Sequence, residues 1–146
     1  MILKFVLVAL FWGDAQSADL PISTCSGDLL MIVTGLDNSD GQIKFDLDDK
    51  ALTFKPQENG PPSFMKGRSP INDKKVEYVF KNVPCGEYAI KLYHDANMNQ
   101  DLDKNALNIP KEKYGFSNCK NCMLPPSFEK AKFLFNHDHS TIKIEL

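Results

Sequence analysis

Several things that whole classes of protein require are scarce in this chain. Arginine occurs once, at Arg68, which excludes anion recognition by a cluster of guanidinium forks. The 17 Lys+Arg against 19 Asp+Glu leave a formal net charge of −2. That is too balanced for a strongly basic nucleic-acid binder or a heavily acidic disordered chain. No glycine-rich phosphate loop, dinucleotide fingerprint or nucleophile-elbow serine is present. No segment carries the period of a long amphipathic helix, and there is no internal repeat or low-complexity tract. No apolar run reaches the roughly 20 residues that span a bilayer, so stable membrane insertion is not expected. What remains is 146 residues, 42% hydrophobic and 25% charged, which suits one domain with one core.

The first residues read as an address. Lys4 gives a short positive start, residues 5–12 are apolar, and Ala15-Gln16-Ser17 places small residues at the −3 and −1 positions of a cleavage site. Residues 1–17 are therefore expected to be a signal peptide, with cleavage after Ala18 as the alternative. A single β domain over 18–146 would remain, exported to the periplasm or the medium, where cysteines oxidise.

Past that point the period is two. Leu29, Met31 and Val33 alternate with Leu30, Ile32 and Thr34. Ile43, Phe45 and Leu47 alternate with Lys44 and Asp46, after an Asp40-Gly41 hairpin signal. Val76, Tyr78 and Phe80 repeat the pattern, as do Tyr88, Ile90, Leu92 and His94, then 132–135, then Ile142, Ile144 and Leu146. Val83-Pro84-Cys85-Gly86 reads as a turn. Residues 51–54 and 64–66 are candidate short or edge strands among the prolines of 48–75. About seven short strands with Gly, Pro, Asn and Asp punctuation predict an all-β sandwich. Residues 95–128 form a long connection with little period, and such connections are usually functional or stapled.

That connection opens on the most specific chemistry. Asp95, Asn97, Asn99, Asp101 and Asp103 put an oxygen-bearing side chain at every second position. A tight loop can turn them onto one hard cation, as in the Asp-x-Asn-x-Asn start of a calcium loop, and the expected cofactor is a weakly held Ca2+. Two positions depart from that pattern. The sixth, normally glycine, is Gln100, and the twelfth, normally a bidentate glutamate, is Ala106. The competing reading is a solvated turn in which Asn and Asp bond their own backbone.

Four cysteines, Cys25, Cys85, Cys119 and Cys122, allow three pairings. Cys119-x-x-Cys122 invites a redox reading, but Pro125-Pro126 oppose the helix that would activate a thiol. Zinc between this pair and His137 and His139 is a further reading that an oxidising compartment disfavours. Structural disulfides Cys119–Cys122 and Cys25–Cys85 are preferred. His94 sits where a strand enters the acidic loop and is expected to be a packed or hydrogen-bonded histidine. His137 and His139 are expected in a solvated hairpin turn. Met98, Phe116, Met123, Leu124 and Phe128 could give the connection an apolar binding face, with His94 and Tyr114 contributing. Phe116 and Phe128 could instead pin the connection to the sandwich.

Three stretches carry a family resemblance. They are Val33-Thr34-Gly35-Leu36 with Gly41-Gln42-Ile43; Val83 to Ile90 running through Tyr93-His94-Asp95-x-Asn97-x-Asn99, Leu102-Asp103, Ile109-Pro110-Lys111-Glu112 and Tyr114 to Asn118; and Pro125 to Ala131. In order and spacing residues 28–146 resemble an exported bacterial family labelled only domain of unknown function 2141. The resemblance implies a transthyretin- or Ig-like β-sandwich and no established activity. Pro84-x-Gly86-x-Tyr88 is similar to a turn of carboxypeptidase-regulatory-like and collagen-adhesin B-type domains, which are mostly accessory or adhesive. Family members usually carry glycine at the position of Gln100. The carboxy-terminal motif of transthyretin-like hydroxyisourate hydrolases is missing, since the chain ends Ile144-Glu145-Leu146.

The expected function is a non-enzymatic, exported binding or accessory module for a protein or carbohydrate partner. The alternatives are a small metal-assisted hydrolase built on His94 and loop carboxylates, which requires a pocket holding them, or a purely structural envelope component.

Overall fold

The computed structural model describes residues 25–55, 61–122 and 124–146. The leader, its cleavage point and Met123 lie outside the described residues. Eight strands form two sheets: β1 (Ser26–Thr34), β2 (Gln42–Asp48), β3 (Met65–Pro70), β4 (Val76–Pro84), β5 (Gly86–Asp95), β6 (Tyr114–Phe116), β7 (Phe133–Phe135) and β8 (Thr141–Glu145). One sheet runs β4-β1-β8 and the other β3-β2-β5-β6, with β7 also paired to β5. The chain is thus an all-β sandwich. Among the described residues no helix is long and apolar enough to cross a membrane.

The alternation read from sequence decides which face each strand buries. Leu29, Met31 and Val33 of β1, Ile43, Phe45 and Leu47 of β2, and Tyr88, Ile90 and Leu92 of β5 all meet between the sheets. Burying a side chain of this size contributes roughly 1.5–3 kcal/mol. β1 lies antiparallel to β4 and parallel to β8, which joins the first strand to the last. A second, smaller cluster of Phe54, Ala89, Phe116, Phe128 and Ala131 gathers against β5. Its aromatic rings meet edge to face, Phe54 at 6.0 Å from both Phe116 and Phe128.

Three expectations need correction. Residues 51–54 are not a strand but one helical turn, α1 (Ala51–Phe54). The turn buries Phe54 in the second cluster and leaves Leu52 exposed, whereas a strand would set both on one face. Asp40-Gly41 does not make a hairpin, because β1 and β2 belong to different sheets. Gly41 instead takes φ +68° in a crossing between sheets, with its Cα so close to the Asp95 carbonyl that no side chain fits. His137 and His139 do sit in an exposed turn, closed by backbone bonds between Asn136 and His139, but it too passes between sheets. β7 pairs with β5, while β8 pairs with β1.

Pro70 behaves as expected of an edge-strand proline. Pro70 ends β3, which has no second neighbour in its sheet, so the missing N–H costs no ladder bond. The 95–128 connection is less irregular than its sequence. It contains β6, and it ends at a second helical turn, α2 (Phe128–Ala131).

Candidate functional site

Antiparallel register builds one edge of the site. Gln42 faces Asp95, Lys44 faces Tyr93 and Asp46 faces Lys91 across β2 and β5. Directly opposed residues share a face, so this is a ladder of polar pairs on the side of the sheet away from the main core. At its end Asp95 is fully buried. Its Oδ2 accepts from the Gln42 amide at 2.8 Å and from the Gln100 backbone N–H at 3.2 Å. Its Oδ1 is buried and has no hydrogen-bond partner.

Residues 96–103 then close on themselves. Asn97 Oδ1 accepts from the Asn99 N–H at 3.0 Å, and Asn99 Oδ1 accepts from the Asp101 N–H at 2.9 Å. The amide groups of Asn97 and Asn99 donate to the two oxygens of Asp103, at 2.7 and 2.9 Å. Gln100 takes φ +71°, so the turn usually given to glycine is made without one. Its carbonyl accepts from both Lys44 Nζ and the Tyr93 hydroxyl, at 2.6 and 2.7 Å, which anchors the strained residue. Burial pushes the Tyr93 phenol up to about 12, helped by the negative charges of Asp95, Asp101, Glu112 and Asp46.

The residue that sequence reasoning left out of the site is Glu112. Its Oε1 accepts from the Ala96 N–H at 3.1 Å and its Oε2 from the Asp103 N–H at 3.0 Å. One carboxylate thus ties the second and ninth positions of the loop together. A short excursion returns it there, closed by the Lys104–Pro110 bridge and the Lys111 N–H to Asp103 carbonyl bond at 2.8 Å. Ala106, at the twelfth position, is exposed and takes no part. In sequence Glu112 shows only within the family stretch Ile109-Pro110-Lys111-Glu112, since its distance along the chain hides its place.

Asp101 is exposed, and only its backbone joins the bonds among the loop side chains. His94 is buried in β5 and its Nε2–H donates to the Asp40 carbonyl at 2.7 Å, so that ring nitrogen is occupied in holding the β1–β2 crossing. Phe116 and Phe128 are buried in the second cluster, with Tyr114 packed beside them. Among the described residues of the connection, the exposed large apolar side chains are Met98, Leu107, Ile109 and Leu124. A surface cavity of about 300 Å3 next to the loop is lined by Gly41, Gln42, Arg68, Ser69, Pro70 and Met98. It holds neither His94 nor a carboxylate.

The cysteines form Cys25–Cys85 and Cys119–Cys122, with Cα separations of 5.3 and 5.8 Å. The pairing removes the zinc reading of Cys119 and Cys122, because a disulfide sulfur is not a thiolate ligand. The same holds for Cys25, Cys85 and His137, which lie close together. Cys119 and Cys122 pack against the second cluster and fasten the connection there.

One family description covers residues 31–143: uncharacterized protein conserved in bacteria, DUF2141. The chain belongs to the DUF2141 family. No curated protein matches the chain, and no solved structure matches it. Within this DUF2141 chain the matched stretch takes in β2–β7 entire, both disulfide-forming residues of the connection, the loop and Glu112.

Proposed function

We propose that this DUF2141 protein is an exported, non-catalytic binding or accessory module. A calcium-like cation orders its 95–103 loop, and the exposed part of the 95–128 connection meets a protein or carbohydrate partner. The carrying observation is the unpartnered, fully buried Oδ1 of Asp95 at the head of the loop. A buried carboxylate oxygen without a partner costs about 1–3 kcal/mol or more, and a hard cation is a chemically matched partner for it. Asp95 and Asp103 supply charge, and Asn97 and Asn99 supply neutral carbonyl oxygens once their amides turn.

The test is a calcium titration of the oxidised chain, reading melting temperature and tryptic cleavage after Lys104. With a dissociation constant of about 10⁻³ M, 10 mM calcium stabilises by about 1.4 kcal/mol, a rise of several degrees. Cleavage after Lys104 should slow in parallel and recover on chelation. If neither changes, the cation reading falls and a purely structural component is favoured.

A further inference from the structure

The loop taken alone lacks a bidentate carboxylate at its twelfth position, where Ala106 stands. Resting on the cation reading above, we propose that Glu112 is the missing ligand, supplied from beyond the loop, and that it makes the site selective for calcium over magnesium.

Two independent observations carry this. Asp95 presents Oδ1 buried and unpartnered, while Oδ2 of the same carboxylate is held by Gln42 from the strand side and by the Gln100 N–H from the loop side. The carboxylate is thereby fixed at the head of the loop with one buried oxygen left unpartnered. Glu112 reaches the same head from the opposite end of the chain segment, one oxygen on the N–H next to Asp95 and the other on the N–H of Asp103. Each carboxylate oxygen has two acceptor directions, so one N–H bond leaves a lone pair on each for a cation.

The excursion over 104–111 explains how the twelfth position became dispensable. Its backbone bonds fold Lys111 onto Asp103 and so return Glu112 to the loop. The ligand is close in space although it comes later in sequence than a continuous calcium loop allows. Two-oxygen ligation by one carboxylate suits a cation that takes six to eight oxygens. Magnesium requires near-octahedral, shorter geometry and gains less from it.

The experiment uses the full oxidised chain, with calcium alone and magnesium alone as titrants, followed by calorimetry. Wild type should bind calcium with a dissociation constant of about 10⁻⁴–10⁻³ M and magnesium at least about tenfold more weakly. Asp95→Asn should abolish measurable binding. Glu112→Gln should weaken calcium at least about tenfold and narrow the gap to magnesium. If wild type binds and Asp95→Asn does not, but Glu112→Gln keeps wild-type affinity and selectivity, the Glu112 proposal is overturned while the cation reading stands. If wild type binds no calcium, both fall. A measurement independent of variant folding is carboxyl-13C NMR of labelled glutamate in wild type. Among six glutamates, calcium should shift the Glu112 signal selectively. An unmoved Glu112 signal at saturating calcium overturns the proposal.

Discussion

Tyr93 shows how one side chain reports on its surroundings. Its hydroxyl donates to the Gln100 carbonyl, and burial with nearby carboxylates pushes its phenol up to about 12. An unfolded tyrosine ionises near 10, so the folded chain retains this proton through a window in which the unfolded chain loses it. Stability from Tyr93 is therefore complete below about pH 10 and falls as pH rises towards 12. Urea unfolding across that window should show a decline that is shallower in Tyr93→Phe. A slope identical in both proteins would deny the phenol this role. Much of the neighbouring loop was legible in sequence, because its oxygen-bearing residues alternate locally. Glu112 was not, because the backbone bonds that return it to the loop have no local period. The strain at Gln100 was likewise hidden. Its φ is held by Lys44 from another strand, and neither residue type announces that contact.

Among the elements, the two disulfides divide the labour unequally. Cys25–Cys85 joins the start of β1 to the corner between β4 and β5 across a sequence separation of 60, while Cys119–Cys122 spans only 3. On the chain-entropy argument the first constrains the unfolded state by about 4 kcal/mol and the second by about 2 kcal/mol. Replacing Cys25 and Cys85 by alanine should thus lower unfolding free energy about twice as much as replacing Cys119 and Cys122, measured by urea denaturation. Equal losses would contradict this account. The strands themselves were readable from alternation at Ile43, Phe45 and Leu47 or at Tyr88, Ile90 and Leu92. Their partners were not. Asp40-Gly41 has hairpin chemistry, yet the chain crosses there to the opposite sheet, a choice made by tertiary pairing. Residues 51–54 alternate too weakly to resist being wound into a turn by the burial of Phe54.

At the scale of the whole molecule there are two cores with different tasks. The main core holds the sheets together, and the cluster around Phe54, Phe116 and Phe128 holds the long connection onto β5. Phe128→Ala should open the second cluster and leave the first closed. Removing a buried phenylalanine costs roughly 3–5 kcal/mol where the site cannot collapse. Hydrogen exchange should then quicken at residues 114–122 and 128–131 while the amides of β1 and β4 keep their protection. Uniform loss across both sheets would mean the two cores unfold as one. The parallel pairing of β1 with β8, Leu30 against Thr141, sets a timetable as well as a shape. The central strand of its sheet waits for Thr141–Glu145, far along the polypeptide, before its second edge is covered. A nascent chain cannot complete this sheet early. Folding is governed by a closure between residues far apart in sequence, which makes it slow relative to its size and leaves an open strand edge until that contact forms.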